Sequence, residues 1–164
     1  MKKLVIMLVA LTLILSVTAC SDSPSGGSGE LADSLEKILE KIYENGELSE
    51  DFKLYMLPGL YTTVITGDNM EYYLGKGGLD IKEAIASEHE MDTAAYSLCL
   101  IRVDKDADAE KIKKSIKDNV DPMKWVCVGV DEENVLVDSI GDVIILVMSN
   151  GDAQALVDAF RSLK

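Results

Sequence analysis

His89 and Cys99 are the chain's nearest approach to a base paired with a nucleophile. A histidine within hydrogen-bond reach of a thiol takes its proton and readies the sulfur for attack on a carbonyl, which is the chemistry of a thiol-dependent hydrolase. The surroundings speak against that use. Cys99 falls inside an alternating apolar run, and a lone histidine between Glu88 and Glu90 is ordinarily a solvated side chain. Paired carboxylates offer an acid–base alternative. Asp104-x-Asp106-x-Asp108 opens like a calcium loop, but Ala109 stands where the sharp turn needs glycine and Ser115 where a bidentate glutamate is needed. Acids gathered at a helix N-terminus explain it more simply. No histidine–cysteine spacing suits zinc. Lys76-Gly77-Gly78 lacks the strand before and the Gly-Lys-Ser/Thr after it that a phosphate cradle requires. No metal and no cofactor is therefore expected. Tyr61, Tyr72, Tyr73, Tyr96 and Trp125 remain. Tyr72, Tyr73, Tyr96 and Trp125 could line a groove for a sugar or peptide, or they could be core aromatics whose polar edges reach water, the commoner use.

A different chemistry is written into Met1–Cys20. Lys2 and Lys3 precede an apolar run from Leu4 to Leu15, then come the small residues Ser16 to Ala19, then Cys20. A cationic start, a short apolar core and a small-residue exit are the parts of a secretory signal peptide. Val17-Thr18-Ala19-Cys20 resembles the lipobox of bacterial lipoproteins, whose cysteine thiol is diacylated with palmitate-class chains and becomes the new N-terminus after cleavage. A spanning helix needs about 20 predominantly apolar residues, and this run is diluted by Thr12, Ser16 and Thr18 before it meets Ser21-Asp22-Ser23. The expected organisation is a leader over residues 1–19, a lipidated Cys20 with a Ser/Gly tether over 20–29, and a single domain over 30–164. The expected address is the cell membrane, facing outside the cytoplasm, with the bilayer as a partner through the acyl chains on Cys20.

The chain of 164 residues carries 16 Lys+Arg against 29 Asp+Glu, a net charge of −13. Loss of residues 1–19 removes only Lys2 and Lys3, leaving 14 against 29, or −15. Such a surface repels phosphates, so no nucleic-acid partner is expected. Cys99 and Cys127 both sit in apolar, strand-like runs, which predicts two buried thiols rather than a disulfide.

Periodicity supplies the elements. Leu31, Leu35, Ile38, Leu39 and Ile42 predict an amphipathic helix over Glu30–Asn45, ended by Gly46. Glu47–Gly67, broken by Pro58-Gly59, reads as a loop packed on the domain. A short helix over Asn69–Leu74 is expected between an Asp68 cap and Gly75. Leu79–Ser87 leans to an extended segment running into a turn at Glu88–Asp92. Ala94–Val103 alternates as a strand, with Tyr96, Leu98 and Leu100 on one face and Cys99, Ile101 and Val103 on the other. A helix capped by Asp106 is expected over Ala107–Val120. Trp125–Val130, Asn134–Ser139 and Val143–Met148 read as a three-stranded meander with Asp131-Glu132-Glu133 at a polar tip, and Gly151–Lys164 as a closing helix. Together these predict an α+β two-layer domain, mainly antiparallel sheet with packed helices.

Glu71-Tyr72-Tyr73-Leu74-Gly75, Leu79-Asp80-Ile81, Ala95-Tyr96-Ser97 and Leu100-Ile101-Arg102-Val103 resemble a family of Gram-positive-type lipoproteins with an extracytoplasmic domain of unknown function. Asn119-Val120-Asp121-Pro122 with Lys124-Trp125-Val126-Cys127-Val128, and Val135-Val137-Asp138, are similar to the same family's second half. The resemblance spans about Leu31 to Phe160 and departs at Glu88-His89-Glu90-Met91, where the family often has Glu-Pro-Met-Met. It implies a surface-anchored domain and supplies no reaction. The functional expectation is a non-enzymatic binding or interaction module of the cell envelope, taking an unidentified protein, peptide or small solute. A thiol- or carboxylate-dependent hydrolase and a weak calcium-binding module are the alternatives.

Overall fold

A computed structural model describes residues 31–91 and 93–164. The leader, Cys20 and the tether lie outside the described residues. Within them, no helix is long and apolar enough to cross a membrane.

Five strands form one antiparallel sheet: β1 (Leu60–Val64), β2 (Glu83–His89), β3 (Tyr96–Arg102), β4 (Val135–Ile140) and β5 (Val143–Ser149), in spatial order β1-β2-β3-β5-β4. The centre of the sheet is apolar on both sides because β3 and β5 alternate between two cores. Leu98, Leu100, Ile145 and Val147 point to the first face, and Cys99, Ile101, Ile144 and Leu146 to the second. A strand buried on both faces loses its polar alternation, which is why every residue from Val143 to Met148 is apolar.

On the first face lie α1 (Leu35–Asn45) and α4 (Ala153–Arg161). Ser34 caps α1 by accepting the Lys37 N–H, and Gly46 closes it on the Ile42 carbonyl. Leu35, Ile38, Leu39 and Ile42 meet Leu156 and Phe160 of α4 over the strands. The α+β class, the antiparallel sheet and the packed helices are as expected. Helices cover the second face as well: α2 (Met70–Leu74) and α3 (Ala109–Asn119) bury Leu74, Ile112 and Ile116 against it.

Several local expectations are corrected. Glu47–Gly67 is not a loop: a π-helical turn at Phe52–Met56 and a 3-10 turn at Leu57–Gly59 lead into β1. The extended segment after Leu79 becomes strand only at Glu83 and runs on to His89, two residues into the expected turn at Glu88–Asp92. The cap of α2 is Asn69 rather than Asp68, and α3 starts on Asp108, whose carboxylate accepts the Lys111 N–H, rather than on Asp106. The three-stranded unit at the C-terminal side consists of β3, β5 and β4; Trp125–Val130 is no strand. That segment folds back, with the Val130 N–H on the Pro122 carbonyl at 2.9 Å and Cys127 at φ 61°, a left-handed conformation outside the extended range of a regular strand.

Arg102, with a side chain 13% exposed, donates to the carbonyls of Leu31 (3.2 Å) and Asp33 (2.6 Å) and faces Glu83 and Asp142. The start of the described chain is thereby fixed to the sheet end where β2 begins and β3 finishes.

Candidate functional site

The opposite end of the sheet carries a buried polar cluster on the second face. Glu88 of β2 stands across from Ser97 of β3, and both side chains point into the second core. Above them, the loop from Pro122 to Val130 inserts Lys124. Its ammonium lies 2.6 Å from Glu88 Oε1, with the two side chains only 4% and 5% exposed. The approach misses hydrogen-bond angles, so Oε1 is compensated by charge without an aligned donor among the described residues. Ser97 Oγ is 3.5 Å from the ammonium and 3.7 Å from Cys99 Sγ.

Three rings enclose the same ammonium. Its distance is 4.4 Å to the Tyr72 centroid, 5.0 Å to Tyr73 and 5.2 Å to Trp125. Cations within about 6 Å of an aromatic face are attracted by the ring quadrupole. Tyr72 and Tyr73 meet edge to face at 4.9 Å and 87°. They are adjacent residues of the one-turn helix α2, which Gly75 ends in a left-handed conformation at φ 75°. A Cβ on Gly75 would stand 2.2 Å from the Asn119 backbone, so α2 and the end of α3 pack at a distance only glycine permits.

The structure thus gathers Tyr72, Tyr73 and Trp125 around one point and leaves Tyr96 out. Tyr96 is fully buried on the first face, where its hydroxyl meets that of Tyr43 at 2.9 Å, and Tyr43 in turn donates to Ser87 Oγ at 2.8 Å. Burial pushes the Tyr96 and Tyr43 phenols up, and the Tyr73 phenol likewise. Tyr61 lies on β1, 42% exposed. Lys124, Glu88 and Ser97 were missed by residue type alone. The signal available was an ammonium beside a tryptophan and a glutamate continuing the alternation of a strand.

The other candidates separate. Register sets Ala86 opposite Cys99, so His89, three residues along, belongs to the other face of the sheet. A Cys99–His89 pair is therefore impossible in this fold. His89 is not solvated in a loop, as expected, but ends β2 at 9% exposure, with Nδ1 accepting the Met91 N–H at 3.1 Å and the ring against Gly59. Cys99 and Cys127 are both free, yet only Cys99 is buried; Cys127 is exposed because its segment is loop and not strand. Burial pushes the Cys99 thiol up to about 11; the Lys124 charge and the Ser97 hydroxyl pull it down, and Glu88 raises it further. Asp108 is spent on the α3 cap, and no group of acids, histidines and cysteines that could hold a metal exists among the described residues.

Ser97 beside Lys124 has the composition of a serine–lysine dyad. A lysine acts as a base only as the free amine, whereas the carboxylate at 2.6 Å and the three ring faces all complement the ammonium. Ser97 is 0% exposed, so no carbonyl reaches it. What the cluster does is hold the Pro122–Val130 loop to the sheet. A hollow of about 470 Å³ opens elsewhere, beside Phe52, Tyr55 and Met56, with Ser49 and Asp152 on its polar side. Asp152 is 8% exposed and accepts from the Ser49 N–H (2.7 Å) and Ser49 Oγ (2.9 Å).

No protein-family model, no curated protein and no solved structure matches the chain.

Proposed function

We propose that this protein is a lipoprotein, held by acyl chains on Cys20 to the outer face of the cell membrane, and that its folded part is a non-enzymatic binding module of the envelope. The observation that carries the address is the order of residues in Met1–Cys20: two lysines, an apolar run too short to span, small residues, then cysteine, followed by the Ser/Gly tether 21–29. The resemblance to Gram-positive-type lipoproteins of unknown function points the same way.

Support for binding rather than turnover comes from the polar groups. The Cys99 thiol is buried and pushed up to about 11, so its nucleophilic form is scarce at neutral pH. The Lys124 cluster is neutralised from within. By contrast, the hollow beside Phe52 and Tyr55 joins apolar walls to a few fixed polar groups, at a volume suited to a peptide side chain or a small solute. Leu54 and Tyr55 next to it are 64% and 67% exposed.

The test is cross-linking in intact cells from a photo-reactive residue placed at Tyr55, with the same probe at Lys164 as control. Capture of one envelope component from Tyr55 alone is expected. A hydrolytic turnover by the purified chain that disappears on changing one polar residue would overturn the non-enzymatic reading.

A further inference from the structure

The sheet ends on two edge strands, β1 and β4, and their outer backbones are treated differently. On β4, the ammonium of Lys117 sits on the Val135 carbonyl, the Asp138 carboxylate takes the Ser139 N–H at 2.8 Å, and Lys113 reaches Ser139 Oγ at 3.2 Å. Charged side chains laid over an edge keep other strands off it.

Among the described residues, no charged side chain lies on the outward backbone groups of β1. The Glu90 N–H bonds the Gly59 carbonyl (3.0 Å) and the Ile65 N–H bonds the Ala84 carbonyl (2.9 Å). Odd-numbered residues therefore exchange hydrogen bonds with β2, and Leu60, Thr62 and Val64 turn their backbone groups outward. Two of the outward groups are used internally: the Leu60 N–H by the Leu57 carbonyl, and the Val64 carbonyl by Asn69 Nδ2 at 3.1 Å. Among the described residues, nothing takes the Leu60 carbonyl, the Thr62 N–H, the Thr62 carbonyl or the Val64 N–H. Residues 60–67 carry no charge in a chain of net charge −13, and Val64 is 62% exposed.

We propose that β1 pairs with β1 of a second copy of this chain, antiparallel about a two-fold axis through Thr62. The open groups are their own complement in that arrangement and in no shifted one. Thr62 exchanges both hydrogen bonds with the second copy's Thr62, and each Val64 N–H meets the other copy's Leu60 carbonyl. The groups left over, the Leu60 N–H and the opposing Val64 carbonyl, are the two already satisfied within the chain. Side chains agree with the backbone: Val64 falls across from Leu60 and threonine from threonine, pairs that stabilise antiparallel strands. An isologous contact of this kind closes at two copies. Strand pairing alone covers little surface, so the association is of the weak class. The acidic surfaces oppose it, and salt that screens them tightens it.

The test uses the full chain in its membrane, with Cys127→Ser as background. Thr62→Cys places two cysteines in a bonded pair with Cα atoms about 5.5 Å apart, within disulfide reach. A disulfide-linked dimer is expected to form about tenfold faster than from Val137→Cys on β4, where Lys117 and Asp138 sit over the neighbouring backbone groups. A second variant, Thr62→Lys, sets like charges face to face and leaves the bonds to β2 intact. It is expected to sediment as a monomer in detergent at a concentration where the unchanged chain is dimeric, with an unchanged melting temperature. Equal cross-linking from Thr62→Cys and Val137→Cys, capture of a different protein by Thr62→Cys, or equal sedimentation of Thr62→Lys and the unchanged chain would each overturn the proposal.

Discussion

Replacing Lys124 by methionine keeps most of the side chain's volume and deletes its charge. Glu88 then stays inside the second core, its carboxylate having been 2.6 Å from an ammonium at about 5% exposure. Breaking a buried pair from one side costs about 3–5 kcal/mol, because the remaining charge keeps its desolvation penalty and loses its compensation. Loss of the three ring contacts belongs within that figure, at about 0.5–2 kcal/mol. For a domain of this size the melting temperature should fall by roughly 10–15 °C. The double variant Lys124→Met/Glu88→Leu removes both charges and should recover more than half of the loss, since an apolar replacement of a buried pair is often neutral. The assay is urea and thermal unfolding of the single, reciprocal single and double variants as a cycle. A single-variant cost below about 1 kcal/mol, the range of exposed pairs, would refute the reasoning. So would a double variant whose loss is simply the sum of the two.

Further outcomes follow from other sites. A thiol reagent should label Cys127 in the folded protein and Cys99 only on unfolding. Because the folded Cys99 thiol holds its proton to about 11 while the unfolded one releases it from about 9, stability should fall as pH rises between these values. Cys99→Ala should show a shallower alkaline slope in the same unfolding series. Burial raises the Asp138 carboxyl, but its bond to Arg161, the Ser139 N–H and the charges of Arg161 and Lys113 hold it below the usual range. Its contribution is thus present above the ordinary carboxylate value of about 3.8 and lost as pH falls through the folded value, and the fall in melting temperature caused by Asp138→Asn at pH 7 should shrink as the solution is acidified. Gly75→Ala should cost about 2 kcal/mol or more in urea unfolding, since both the positive φ and the Asn119 backbone oppose a Cβ.

How much of this was legible in the sequence depended on which interaction dominated locally. Where burial repeats with a regular period, the residues declared it: Leu35, Ile38 and Ile42 gave α1, the alternation from Tyr96 to Val103 gave β3, and the unbroken apolar run from Val143 gave β5. Where an element sits at an edge, periodicity fades. Leu60–Val64 is half exposed on both faces and follows Pro58-Gly59, so it read as loop. Trp125–Val130 has the composition of a strand, yet Lys124 and Trp125 are drawn into a tertiary cluster with Glu88 and two tyrosines distant in the chain. The aromatics were legible as a set, but their division between two faces was not. Strand alternation turns Tyr96 toward the first face, beneath α1, whereas Trp125 reaches the second face from a loop whose path no period announces. His89 shows the same limit: its acidic neighbours suggested solvent, and its position at the end of β2 decided otherwise.

The proposed address rests on Cys20, and the intact mass of the chain purified from cell membranes tests it most directly. The expected product is a polypeptide that starts at Cys20 and carries the added mass of a diacylglyceryl group, together with a Cys20→Ala form that keeps residues 1–19 and gains no lipid. A native chain with an unmodified thiol at Cys20, or with the leader still attached, would contradict it.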